Sequence, residues 1–242
     1  MPAIDKQKTI KPPNSTRNSE ATKNQILDAA EAEFAVTGLS GARTEAIAAQ
    51  TGVTKAMIYY YFQSKEELYQ AVLERCLMGM LCMAEGLQLD LLPPDAALVK
   101  LLTTMLQCMS EEPRIGSILC LEAIQNKGKY YPKQLGNILY GTMIQVLERG
   151  MESGVFRQLE PRHTAVSIVG ACSFYFTAQE NLKYLWPGKR LLSKELLQSH
   201  SQESIDLIMA GVRLIDTSPC GEASPTATLS TSNWYFGYAQ YK

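Results

Sequence analysis

The sequence predicts an all-α chain, with three short helices near the N-terminus followed by a larger set of longer ones. Three observations carry this reading. Apolar residues recur three and four apart through most of residues 20–216, the spacing that gathers side chains on one face of a helix. The pattern is interrupted mainly at Gly, Pro or short polar runs, and several segments open on residues suited to a helix start, among them Thr54, Ser64 and Pro132.

Residues 1–19 form a polar, mildly basic leader with Lys6, Lys8, Lys11 and Arg17. Its composition is that of a solvated segment. Ser19 is placed to cap a first helix from 20 to about 37, whose buried stripe is Ile26, Leu27, Ala30 and Phe34 and whose end is Gly38.

The next stretch, about 43–62, has the grammar of a helix-turn-helix. Ile47 and Ala48 point inward from a short helix, and Ala48 is small enough for another helix to come close. Gly52 supplies a turn that needs positive φ, and Val53 plugs the corner. Thr54 then caps a second helix through Tyr61, with Ile58 and Phe62 as its core contacts. Its outer face carries Lys55, Ala56, Met57, Tyr59 and Tyr60, a cation with small, flexible and phenolic groups that suit the major groove of a duplex.

Ser64-Lys65-Glu66-Glu67 reads as a capping box opening a long helix to about Gly86, with Leu68, Tyr69, Val72, Leu73, Cys76, Leu77 and Met80 along it. A helix that starts beside the helix-turn-helix and ends far from it can act as a lever between two parts of a protein. Beyond the Pro93-Pro94 break, Leu98, Leu101, Leu102, Met105, Leu106 and Met109 define an amphipathic helix closed by Glu112-Pro113. Further helices are expected over about 113–125 and about 132–153. The latter has an apolar face of Leu135, Ile138, Leu139, Thr142, Met143, Val146, Leu147 and Met151.

A helix over about 161–184 holds Val166, Ile168, Val169, Cys172, Phe174, Tyr175 and Phe176, too many directions for one face. The last helix, about 199–216, is likewise apolar on two sides, with Ile205, Ile208, Met209, Val212 and Ile215 on one and Leu207, Gly211 and Leu214 on the other. Two closing helices with more apolar surface than one core consumes imply a second copy of the chain.

The segment from about Thr22 to Val72 resembles the DNA-binding domain of the TetR family of bacterial repressors. The match runs through Ile26-Leu27-Asp28-Ala29-Ala30, Phe34, Gly38, Ile47-Ala48, Gly52-Val53-Thr54-Lys55, Tyr59, Tyr61-Phe62, Ser64-Lys65-Glu66 and Leu68 without a gap. The resemblance implies that the helix opened by Thr54 is the recognition helix, that Tyr59 and Lys65 contact phosphates, and that Arg43 and Thr44 touch the DNA backbone. Base reading then falls to Lys55, Ala56, Met57 and Tyr60. The helical pattern from 113 to 213 also looks like one branch of TetR effector domains, which dimerise through their last two long helices as a four-helix bundle.

The expected organisation is therefore a leader (1–19), a helix-turn-helix DNA-binding domain (20–80), a helical effector-binding and dimerisation domain (81–216), and a linker-like tail (217–242). The tail ends in five aromatics between Trp234 and Tyr241 and departs from the family. Net charge of −1 gives no electrostatic sign of nucleic-acid binding, so that reading rests on the motif.

No apolar run reaches bilayer length and no signal peptide is visible, so a cytoplasmic protein, nucleoid-associated when bound to DNA, is expected. Cys76, Cys82, Cys108, Cys120, Cys172 and Cys220 show no CxxC spacing and read as packing residues. His163 and His200 lack neighbours at metal-ligand spacing, and neither a phosphate loop nor a nucleophile motif is present. No metal, no cofactor and no enzymatic activity are expected.

The expected function is a sequence-specific transcriptional repressor, a homodimer on near-palindromic double-stranded operator DNA, released by a small-molecule effector. The competing reading is a DNA-binding dimer without such an effector, constitutive or controlled by a protein partner. A cavity separates the two, and Met105, Cys108, Met109, Cys120, Tyr140, Met143, Phe174 and Tyr175 are its candidate lining.

Overall fold

The computed structural model describes residues 14–214. The expectations for the basic leader, for Cys220 and for the aromatic tail concern side chains outside the described ones. Ten α-helices follow in order: α1 Asn14–Gly41, α2 Thr44–Thr51, α3 Lys55–Phe62, α4 Lys65–Glu85, α5 Pro94–Glu111, α6 Arg114–Asn126, α7 Lys133–Glu152, α8 Pro161–Thr177, α9 Gln179–Leu182 and α10 Lys194–Val212. Among the described residues the only β pairing is an isolated bridge between Phe156 and Arg213.

The helices enclose two apolar cores. The first gathers Ile26, Ala30 and Phe34 of α1, Ile47 of α2, Ile58 and Phe62 of α3, and Leu68, Tyr69, Val72 and Leu73 of α4. Ile115 and Ile118 of α6 complete it, so a helix expected in the second domain is part of the first core. The second core joins α5, α7, α8 and α10 through Leu98, Leu102, Leu106, Leu147, Ile168, Cys172, Phe176 and Ile208.

The chain between α4 and α5 is pinned to α7 by one side chain. The Arg149 guanidinium donates to the carbonyls of Leu89 at 3.1 Å and Leu92 at 2.7 Å, in and just after the single 3-10 turn Leu89–Leu91.

Several boundaries differ from expectation. Ser19 lies inside α1, because the helix begins at Asn14. Its hydroxyl meets that of Tyr61 at 3.1 Å. Helical structure also resumes after Gly38, whose φ of 67° and ψ of −176° bend the chain instead of ending the helix outright.

The capping box at Ser64 is half formed. Its Oγ accepts from the Glu67 amide at 3.1 Å, but the Ser64 amide donates to Phe62, so Glu67 has no donor to reach back for.

On α7, Ile138 is 49% exposed, because the helix turns its buried side to Met143, Val146 and Leu147. Helix α8 stops at Thr177, where the Gln179 side-chain amide donates to the Phe176 carbonyl at 2.9 Å and takes the place of a continuing backbone donor. Helix α10 starts early because Ser193 accepts from the Leu196 amide.

Candidate nucleic-acid interface and ligand cavity

The turn between α2 and α3 has the geometry its residues require. Gly52 adopts φ 71° and ψ 5°, with its amide bonded to the Ala48 carbonyl at 2.9 Å. Thr54 Oγ1 accepts from the Met57 amide at 3.2 Å, fixing the start of α3. With Ile58 and Phe62 buried, Lys55, Ala56, Met57, Tyr59 and Tyr60 are left exposed on one surface, Tyr60 at 80%.

Beside this surface, at the N-terminus of α2, lies a hollow of about 490 Å³ lined by residues that include Arg43, Thr44, Tyr59 and Lys65. Three segments meet here because Lys65, at the start of α4, donates its ammonium to the Ala42 carbonyl at 3.1 Å. The hydroxyls of Thr44 and Tyr59 approach to 3.5 Å, although Thr44 is itself buried. Two cations, two hydroxyls and the positive end of a helix face a phosphate-sized space here, with Glu45 and Glu66 also on its wall.

Lys55 is held differently. Its ammonium pairs with Glu45 at 2.6 Å, and that hydrogen bond raises the lysine pKa and lowers that of the acid. Both side chains are about half exposed, so the pair is open to exchange with a ligand.

A cavity of about 940 Å³ opens between α4, α5, α6, α7 and α8. Six of the eight anticipated residues line it: Met105, Cys108, Met109, Cys120, Tyr140 and Met143. The other two do not. Phe174 is 60% exposed on the outer side of α8. Tyr175 is buried elsewhere, its hydroxyl donating to the Leu191 carbonyl at 2.7 Å and its ring stacked on His200 at 4.1 Å.

The cavity side of α8 is the row Val169, Ser173 and Thr177, four residues apart. Sequence reasoning also missed Leu77 and Met80 of α4, Thr104, Tyr131 and Glu122. Glu122 had a signal, since it is the lone acid in the apolar run Ile118-Leu119-Cys120-Leu121-Glu122-Ala123-Ile124. Burial pushes the thiols of Cys108 up to about 11 and of Cys172 up to about 12, so both stay protonated near neutral pH and make poor nucleophiles.

Helix α6 belongs to both regions. One side lines the cavity through Ile115, Gly116, Leu119 and Glu122, while Ile115 and Ile118 enter the core beneath α2 and α3. At its start Arg114 lies 3.9 Å from the buried Glu31 of α1, which also pairs with Arg75 of α4 at 2.7 Å. Near its end Gln125 packs against Gly38.

The outer sides of α8 and α10 expose Val166, Phe174 and Leu207, and Leu214, expected inside the last helix, is exposed two residues beyond its end at Val212, all at 58–71%. These are the second apolar sides anticipated for the two closing helices.

Comparison with known proteins is consistent along the chain. Residues 26–72 match the family described as bacterial regulatory proteins, tetR family. Residues 94–208 match the tetracyclin repressor-like C-terminal domain. The chain is 30% identical over 172 residues to the HTH-type transcriptional repressor NicS of Pseudomonas putida, covering 69% of this chain and 81% of that protein. It is 28% identical over 162 residues to the HTH-type transcriptional regulator RutR of Escherichia coli, covering 66% and 76%. The ketosteroid transcriptional regulator KstR2 of Mycobacterium tuberculosis superposes with a TM-score of 0.61 over 80% of this chain and 95% of that one. At 20% identity, that likeness speaks to the fold alone.

Proposed function

The chain belongs to the tetR family of bacterial regulatory proteins, and from that premise we propose how it works as a repressor that a small molecule releases from its operator. It is a DNA-binding transcriptional regulator and not an enzyme. Regulators of this family bind operator DNA, typically as dimers.

In the proposed complex, α3 enters the major groove. Lys55, Ala56, Met57 and Tyr60 face base edges, while Thr54 caps the helix beside the backbone. Arg43, Thr44, Tyr59 and Lys65 close on a phosphate. Lys55 exchanges Glu45 for DNA as it docks. The exposed rows on α8 and α10 meet their copies in a homodimer, which sets two recognition helices on one face of a near-palindromic duplex.

The observation that carries the control mechanism is the double membership of α6. A ligand that fits one setting of the cavity better than another moves α6, and α6 shares a core with the helices that read DNA. A coupling of about 1 to 3 kcal/mol, typical of such linkage, weakens operator binding roughly 5- to 150-fold. The cavity also favours this reading over a dimer without an effector, for which a filled core would serve.

The test is a gel-shift with DNA upstream of the protein's own gene, with and without candidate metabolites. An active metabolite should weaken operator binding, and the operator should weaken metabolite binding by the same factor. Release without that reciprocity would contradict the mechanism.

A further inference from the structure

The cavity wall contains one buried carboxylate. Glu122 is 1% exposed on α6 and lines the cavity. Its Oε1 accepts from the Tyr130 amide and its Oε2 from the Asn126 side chain, each at 2.6 Å. Both donors are neutral. Among the described residues no cation pairs with it within 4.0 Å. Lys129, in the same turn, gives its ammonium to the Tyr130 hydroxyl at 2.9 Å.

An ionised carboxylate accepts hydrogen bonds at about four lone-pair sites, so Glu122 keeps acceptor capacity. Lys129 acts on the carboxylate only through its charge at a distance beyond 4.0 Å, so a cationic partner in direct contact would offset more of the cost of burying it.

The surroundings select what kind of cation fits. The same cavity is lined by Met105, Met109, Leu119 and Met143, which accept an apolar body, and by Tyr131 and Tyr140, a residue type that can bind a cation through its ring. Lys127 and Lys133 are exposed at the edge, where solvent screens them.

We propose that the cavity takes an apolar organic cation, an amine or amidine on an aromatic or aliphatic body, whose N–H groups bond to the Glu122 carboxylate. This rests on the reading of the cavity as the effector site. It also gives the signal a route. The same carboxylate holds the turn after α6, and Tyr130 in that turn packs edge-on against Tyr69 of α4, with ring centroids 5.9 Å apart. Tyr69 in turn packs against Phe34 of α1 at 4.9 Å. Its buried hydroxyl has no hydrogen bond within 3.5 Å but lies beside Glu122 and Asn126, and burial, followed by the charge and the acceptor oxygens of Glu122, pushes its pKa up. A cation that draws Glu122 toward the cavity therefore loosens the turn packed on the helix leading to the DNA-reading unit.

Three compounds of one body test this on the full-length protein: 3,3-diphenylpropylamine, 3,3-diphenylpropan-1-ol and 3,3-diphenylpropanoic acid. Calorimetry and operator release are measured for each. The amine should bind roughly 10- to 100-fold more tightly than the alcohol, as expected for a hydrogen bond to a charged group, and it alone should release the operator. Glu122→Gln should bring the amine down to the affinity of the alcohol, with the helical content and thermal transition of the variant as the check on folding. The wild-type series decides the matter even if that variant does not fold. Tightest binding by the acid, lost in Lys127→Ala or Lys133→Ala, would overturn the cationic class while leaving the cavity as an effector site. No binding by any of the three would count against both.

Discussion

Replacing Gly38 with alanine probes the seam between the DNA-reading unit and α6. Gly38 sits at φ 67° and ψ −176°, a region populated almost only by glycine, and holding another residue there costs about 1 to 3 kcal/mol. An added Cβ would lie 2.0 Å from Gln125 Oε1. That atom is the far end of a flexible side chain, so it can swing away for roughly 0.5 to 1 kcal/mol of lost rotamer freedom.

The two contributions sum to roughly 1.5 to 4 kcal/mol from these principles, most of it in the backbone. For a protein of this size each kcal/mol lowers Tm by about 2 to 4 °C, so a fall of roughly 3 to 16 °C is expected in calorimetry at fixed protein concentration. Gly38→Ala combined with Gln125→Ala should recover only the smaller share. Wild-type stability for Gly38→Ala, or full recovery in the double variant, would refute the assignment of strain to the backbone.

Three further outcomes are expected. Tyr59→Phe and Lys65→Ala should weaken binding to every sequence, and Lys65→Ala should also lower the salt slope by roughly one unit. Lys55→Ala should instead change the ratio between matched and scrambled sites, and an unchanged ratio would remove Lys55 from base reading. Leu207→Arg, at a position 71% exposed in the single chain, should yield a folded monomer in sedimentation and lose tight operator binding. A stable dimer would place the interface elsewhere.

A fourth outcome concerns pH. Burial holds the His200 imidazole below its ordinary value of 6.5, so the unfolded chain binds its proton more readily. Stability from this group is present above 6.5, begins to fall as pH drops through that value, and levels off below the lowered folded pKa. Melts between pH 8 and 5 should show this loss, and His200→Phe should remove its share. A loss of the same size in that variant would assign it to other groups.

Local chemistry was the most legible part of the sequence. Gly52, Thr54, Ile58 and Phe62 act within a few residues of one another, and their spacing defines the turn and the exposed face of α3 before any distant contact forms. The apolar stripes of α1, α4 and α5 were legible for the same reason, since one face of each is clearly richer.

Helix α8 was harder because it is apolar all round. Periodicity identifies such a helix but does not say which side meets the core, the cavity or a partner, and so Phe174 and Tyr175 were assigned to the wrong one. The end of α8 depended on a side-chain amide, Gln179, meeting a backbone carbonyl, which no propensity encodes. Membership of α6 in two regions, and the burial of Glu122, arise from contacts between segments far apart in the chain. Only the lone acid in an apolar run hinted at them.

The central claim is that one recognition helix from each of two protomers reads one duplex. Its most direct test is a titration followed by sedimentation, using duplexes that carry either the whole near-palindromic operator or one half-site at equal length. Two protomers should bind the whole operator, and affinity should fall by several orders of magnitude on the half-site. One protomer bound to a half-site at full affinity would contradict it.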